Sequence, residues 1–385
     1  MSERPSTGRP GGGPAHRVLW ITEHYPPSRG GMSQSCDRIV RGLRAAGVEI
    51  DVAHLTRRAR PWRTGREHGG RLITAPLGDD PEHALRRLWT TLTAEDLTDY
   101  SHVVAFGGTY AILAAPVLSA LLDAPLVTLL RGNDIDVGVF SMRRRGVLAD
   151  ALRASSRVCV VARSHTPLVS AIAPDTPVTH VANSVDTAQW RILPSERERG
   201  RAWREENVEP GRRTIGLIGQ LKVKKGVGFF LDALEASGHG GAFHLLLVGE
   251  VEESVTAWLA SHDVPHSFMP FLERYDLPSV YASCDLVALP SFYDGMPNVA
   301  LEAAALGVPL IASDAGGLAD MADDEIGFTF PAGDPHGCRA AIDRAARASA
   351  EELAKLGAAG AERVRRDFTP AAETAGYLAV LDAVR

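Results

Sequence analysis

The chain has 385 residues, with 41 Lys and Arg against 47 Asp and Glu, a formal net charge of −6. At about 150 residues per domain, that length predicts two or three domains. With 45% hydrophobic and 23% charged residues, the composition is that of a folded soluble protein rather than a disordered one. The acidic balance argues against nucleic acid as a partner, since nucleic-acid binders usually carry a basic surplus.

Residues 1–16 are dominated by Ser, Gly, Pro and Arg, lack an apolar core, and read as a disordered tail rather than a signal peptide. Arg17–Thr22 (RVLWIT) reads as a strand, followed by a Pro-Pro-Ser-Arg-Gly-Gly loop. From about Met32 to Ala46, Cys36, Ile39, Val40 and Leu43 recur at helical spacing. Gly47 closes that helix and Val48–Leu55 is the next strand. Six arginines between Arg57 and Arg71 surround Trp62, with only Glu67 opposing them. Such a patch could touch anionic lipid or an acidic acceptor, but no amphipathic period supports membrane contact, and it reads as a mobile, solvated loop. Further strands are expected at Leu72–Ala75, Val103–Phe106, Leu126–Leu130, Val158–Val161 and Val178–Val181. Val103–Leu122 carries no charge, and its Gly107, Gly108 and Pro116 divide it into strand, turn and buried helix rather than a membrane span.

Ser195–Gly211 is charged and reads as a helix plus connector, the candidate linker. A second strand series follows at Thr214–Ile218, Phe243–Val248, Ser267–Phe271, Leu286–Leu289, Pro309–Ala312 and Phe328–Phe330, each strand trailed by a helical segment. Alternating strands and helices imply α/β architecture with parallel sheets, here two Rossmann-like domains facing a cleft. No GxGxxG or GxxxxGK[ST] is present. Cys36, Cys159, Cys284 and Cys338 make no CxxC pair, and Pro265 separates His262 from His266. The expectation is buried thiols in a cytoplasmic protein, with no metal site.

The chemistry concentrates in Leu289–Ala315 (LPSFYDGMPNVALEAAALGVPLIASDA). A strand ends, a loop brings Asp294, Gly295 and Met296, and Pro297 stands where a helix begins, followed by Asn298. Glu302 lies on that helix, eight residues after Asp294. A helix N-terminus presents unpaired amides to phosphate or sugar oxygens, and two carboxylates can accept from two sets of hydroxyls. Lysine usage points to the same half. The chain has four lysines, and Lys222, Lys224 and Lys225 fall together in GQLKVKKG, after a strand. Lysine suits phosphate oxygens at a loop. In the first half, Gly30-Gly31 opens a helix where amides can approach a ligand. Arg131, in LRGND with Gly132, Asn133 and Asp134, ends a strand. It serves either to stabilise developing charge or to pair structurally with Asp134 or Asp136.

Asp294–Ala312 resembles the signature of family 4 retaining glycosyltransferases with the GT-B fold, which usually reads EGxPxxxLEAMAxGxPVV; here Asp294 replaces the first glutamate. The resemblance implies that Glu302 binds the ribose hydroxyls of a nucleoside-diphosphate sugar. It implies that Asp294 binds the transferred sugar, with amides from Gly295 through Met296, Pro297 and Asn298 assisting. Lys225-Gly226 matches the family's KG on the donor pyrophosphate, with Gln220 where an arginine is usual. Glu250, Phe271 and Leu272 match segments beside the donor, Gly30-Gly31 matches a Gly-Gly loop, and Asn183-Ser184-Val185-Asp186 resembles Asn-Gly-Val-Asp near the domain junction. Arg131 faces the reaction centre, with Asn133 and Asp134 on the acceptor side. The implied organisation is an acceptor domain over 17–194, a nucleotide-sugar domain over 195–368 and a helix over 369–385 crossing back to the first. The implied reaction moves a hexose-type sugar to an unidentified acceptor without cofactor or metal, since no DxD stands in a metal-ligating context. The alternatives are a non-catalytic nucleotide-sugar-binding scaffold and a GT-B sugar epimerase.

Overall fold

The computed structural model describes residues 16–58 and 60–384. Its first half comprises β1 (Arg17–Thr22), α1 (Gly31–Ala45), β2 (Glu49–Thr56), β3 (Arg63–Glu67), β4 (Gly70–Pro76), α2 (Pro81–Ala94), β5 (His102–Phe106), α3 (Thr109–Leu122), β6 (Leu126–Leu130), α4 (Asn133–Asp136), α5 (Met142–Ala154), β7 (Arg157–Val160), α6 (His165–Ile172) and β8 (Val178–His180). The strands form one sheet in the order β3-β4-β2-β1-β5-β6-β7-β8. All neighbours are parallel except β3 with β4. Parallel sheets are covered on both faces, which is why β1 is apolar along nearly its whole length. Leu19 and Ile21 pack with α2 and α3, while Val18 and Trp20 pack with α1 on the other side.

The second half comprises α7 (Pro194–Asn207), β9 (Arg213–Leu221), α8 (Val227–Ser237), β10 (Phe243–Val251), α9 (Glu253–Ser261), β11 (His266–Met269), α10 (Leu277–Ser283), β12 (Leu286–Leu289), α11 (Asn298–Ala305), β13 (Leu310–Ser313), β14 (Gly327–Phe330), α12 (Pro335–Arg347), α13 (Ala350–Asp367) and α14 (Pro370–Asp382). Its six-stranded parallel sheet runs β11-β10-β9-β12-β13-β14. Strand order reverses between β1 and β5, and again between β9 and β12. Crevices outside the carboxyl ends of strands at such reversals are where open α/β sheets hold ligands. α14 packs on α1, and just beyond it the Val384 carbonyl accepts a bond from His102 Nε2, 2.6 Å away. All four cysteines are free and buried. Among the described residues no helix is long and apolar enough to cross a membrane.

Several sequence expectations are corrected. The arginine-rich stretch is not a mobile loop: Arg63–Glu67 pairs antiparallel with β4, and Trp62 packs on the core with the Arg87 guanidinium 4.9 Å from its ring. Cross-strand hydrogen bonding, invisible to a search for amphipathic period, orders it. Ser195–Gly211 is more than a linker, because α7 packs on α10 and Arg204 pairs with Asp285 at 2.6 Å. β9 and β10 each run three residues further than expected, placing Gln220 opposite Glu250 inside the ladder. β11 ends at Met269, leaving Phe271 in the following loop. Of the expected tail, 1–15 lies outside the described residues, whereas His16 is buried and bonded to Asp382 at 2.9 Å.

Candidate active site

A cleft of about 1040 Å³ lies between the sheets. Segments following β1, β2, β5 and β6 line one wall, and segments ending or following β9, β10, β11 and β12 line the other. Two loops bring the walls together. A Cβ at Gly295 would run into the Arg131 carbonyl, and one at Gly132 (φ +124°) would stand 2.7 Å from the Gly295 nitrogen. Only glycine on both sides permits this approach, which sets Arg131 and Asp294 in one region although they are far apart in sequence.

On the second wall, Asp294 accepts the Gly295 N–H at 3.0 Å and forms an ion pair with Lys225. Lys225 comes from the short turn Val223–Lys225 after β9. Lys224 Nζ donates to Asn133 Oδ1 across the cleft at 2.8 Å, and burial holds its amine below the ordinary lysine value. Glu302, on α11, is buried and lines the cleft. Its Oε2 accepts from the Tyr281 hydroxyl at 2.8 Å, and Oε1 has no hydrogen-bond partner among the described residues. Burial raises the Glu302 carboxyl above its ordinary value, opposed by the Tyr281 bond and by Arg274 and Arg38. Pro297 precedes α11 as its cap rather than opening it, because the helix starts at Asn298. The Asn298 amide turns across the cleft to the Gly31 carbonyl at 3.3 Å. Gln220 donates to Glu250 at 3.0 Å.

On the first wall, the Arg131 side chain pairs with neither Asp134 nor Asp136. It donates to the Tyr377 hydroxyl at 2.9 Å and to Asn183 Oδ1. Asp134 instead accepts the backbone N–H groups of Arg131, Gly132 and Ile135, shaping the loop, while Asp136 bonds His165 at 3.0 Å. Asp134, expected on the acceptor side, lines the cleft while its carboxylate accepts from its own loop. Asn183 also donates to the Met296 carbonyl at 2.7 Å, tying Arg131 to the Asp294 loop. Arg38 donates to Asn183 and, bidentately, to Glu373 on α14.

Gly30, Gly31, Arg131, Asn133, Asp134, Gln220, Lys225, Glu250, Phe271, Leu272, Asp294, Met296, Pro297, Asn298 and Glu302 all line the one cleft, with Gly295 at its floor contact. Sequence reasoning missed Glu23, His24 and Arg29 there. Arg29 lies 4.8 Å from the Phe271 ring centroid and pairs with Glu273 at 3.1 Å. Burial holds the His24 imidazole below its ordinary value. Their only sequence signal is position, just after the first strand. Among the described residues no cluster of three or more His, Cys, Asp or Glu side chains could hold a metal ion.

Residues 212–347 match the family model described as glycosyl transferases group 1. No protein of curated function matches the chain. Among solved structures, HepE of Anabaena in complex with UDP and glucose aligns with a TM-score of 0.75 at 17% identity, covering 96% of this chain and 100% of that one. Sucrose-phosphate synthase of Thermosynechococcus elongatus aligns at 0.77 and 18% identity, covering 96% and 98%. The catalytic domain of starch synthase IV from Arabidopsis thaliana, bound to ADP and acarbose, aligns at 0.73 and 16% identity, covering 96% and 99%. At these identities the likeness establishes the fold, which is GT-B.

Proposed function

We propose that the protein is a retaining glycosyltransferase of family 4 type, moving a hexose-type sugar from a nucleoside diphosphate to an acceptor hydroxyl or amine. The observation that carries this reading is the joint placement of Glu302, Asp294 and Lys225 on one wall of an inter-sheet cleft, inside the segment matching the group 1 model. Glu302 Oε1 stands open to accept from a ribose diol. Lys225 exchanges its ion pair with Asp294 for the donor diphosphate, which frees the Asp294 carboxylate for sugar hydroxyls. The cleft volume suits a nucleotide sugar with part of an acceptor. Two solved structures of the same fold hold UDP with glucose, or ADP, in agreement with such a donor.

In the reaction, the acceptor heteroatom bonds to the anomeric carbon as the bond to the diphosphate oxygen breaks. The acceptor's proton passes to the leaving diphosphate or to solvent. Negative charge grows on the diphosphate, and fixed positive groups worth most in a water-poor cleft oppose it. Lys225 and Lys224 stand on that side, and Arg131, held by Tyr377 and Asn183, faces them. Domains 17–194 and 195–368 take the acceptor and donor roles respectively. Incubation with a panel of nucleotide sugars and acceptors, read as nucleoside diphosphate release, tests the reading. Release with at least one donor, and retained configuration of the glycoside by NMR, is expected. Nucleotide binding without release from any donor would replace the transferase with a scaffold.

A further inference from the structure

α3 carries no charged side chain over its 14 residues, and its apolar character does not stop at the buried face. Ala111, Ile112, Ala115, Leu118 and Leu122 pack inward. The opposite face is Leu113, Pro116, Val117, Ala120 and Leu121, spaced three and four apart, with Leu113 41%, Val117 59% and Leu121 52% exposed. The sequence reading of a buried helix is therefore corrected: only one side is buried. A helix apolar all round belongs in a core or in hydrocarbon, so this outer face lacks its partner.

α5 packs beside α3 and continues the pattern. Just ahead of it Phe140 is 87% exposed, and its first residue, Met142, is 99% exposed. Arg143, Arg144 and Arg145 follow, all exposed, and none of their guanidinium groups has a hydrogen-bond or ion-pair partner among the described residues. The acids on these two helices and their ends are Asp123, at the far end of α3, and Asp150, 3.9 Å from Arg153.

We propose that this α3–α5 face docks on the surface of an anionic lipid bilayer. Charge complementarity selects the occupant: three consecutive unpaired arginines stand beside exposed Phe and Met in a chain whose net charge is −6. Apolar side chains entering the headgroup boundary beside basic residues that hold lipid phosphates are the two components of interfacial binding. At about 1.5 Å per residue, α3 is too short to span hydrocarbon about 30 Å thick, so it lies on the surface. Arg144, Val147 and Ile112 also line the cleft, so the docked face borders its first wall. The proposal does not depend on the transfer reaction, because vesicle binding is read without turnover.

The test is co-sedimentation of the full chain with vesicles of pure phosphatidylcholine and of equal parts phosphatidylcholine and phosphatidylglycerol. Binding to the mixed vesicles, weakening as salt is raised, with little binding to the neutral ones, is expected. F140S/M142S and R143E/R145E should each weaken partitioning at least about tenfold, with melting temperature and nucleoside diphosphate affinity unchanged. Equal binding to both vesicles, or none to either, would overturn the proposal, as would double variants that bind like the wild type. A concentration-dependent dimer dissolved by F140S/M142S, without vesicle binding, would assign the face to a second copy of the chain instead.

Discussion

Replacing Glu302 with glutamine removes a charge from a site where one carboxylate oxygen is already committed. Tyr281 donates to Oε2 at 2.8 Å, and burial with the adjacent carboxylate holds the phenol well above its ordinary pKa, so it remains a donor. A glutamine carbonyl still accepts that bond, which keeps α10 and α11 together. The loss falls on the oxygen facing the cleft. Hydrogen bonds to a charged acceptor contribute about 1.5–3 kcal/mol and neutral ones about 0.5–1.5, so the expected loss of nucleoside affinity is roughly 5–13-fold. Glu302→Ala removes both partners and should cost about 10–150-fold in affinity. It also leaves the Tyr281 hydroxyl buried without an acceptor, at about 1–3 kcal/mol of stability. Calorimetry with nucleoside diphosphates carrying ribose or 2′,3′-dideoxyribose separates these terms. The wild type should prefer the ribose form, and Glu302→Gln should lose most of that preference without any fall in its melting temperature. A Glu302→Gln protein that discriminates the two sugars as well as the wild type would refute the ribose assignment.

The remaining predictions concern the same cleft and the fold around it. Lys225→Ala should weaken nucleoside diphosphate binding far more than nucleoside binding, measured by calorimetry; equal losses would place the lysine elsewhere in the recognition. Asp294→Asn keeps the shape but leaves Lys225 unpaired. It should lower kcat while nucleotide affinity holds or rises, and Asp294→Glu should change the preferred donor sugar or lower activity; turnover left intact by both would end the role given to Asp294. Burial holds His54 down at about 4 against an ordinary 6.5. The folded state therefore disfavours the proton that the unfolded chain accepts, and the stability present above 6.5 is lost as pH falls toward 4. The loss amounts to about 3 kcal/mol at most, and His54→Gln should flatten that part of a melting-temperature profile. Glu302 runs the other way. Its raised carboxyl stabilises the fold below the ordinary 4.5 and loses that contribution as pH rises through its folded value, so Glu302→Gln should gain stability relative to the wild type between acid and neutral pH.

Much of the second wall of the cleft was legible because its residues are close in sequence. Asp294, the Gly-Met-Pro turn and Glu302 lie within one strand–loop–helix unit, and three of the four lysines sit in one turn, so short-range spacing alone places them. The strands were legible for a related reason: a parallel strand covered on both faces must be apolar along most of its length, and Val18 to Ile21 of RVLWIT are. What could not be read is everything that depends on which distant segments meet. Arg131 with Tyr377 and Asn183, Lys224 with Asn133, and Arg29 with Phe271 are partners only because two sheets face each other and α14 returns to α1.

The same division explains the errors. A pattern of residue types tells which side chains can be buried, not what will cover them. Trp62 and the strand beside it looked like a mobile loop because what orders them is β4 and α2, although Arg63 and Arg66 do stay exposed, and the outer face of α3 looked buried because nothing in its sequence separates an apolar face with a neighbour from one without. The sequence alone determined the alternation of strands and helices, the two parallel series and the grouping of acids and lysines on one wall, because backbone propensity, apolar period and residue type act over a few residues. The closing of the cleft, the tethering of Arg131 and the exposure on α3 and α5 were decided by tertiary structure alone, since each is a relation between surfaces that only packing brings together.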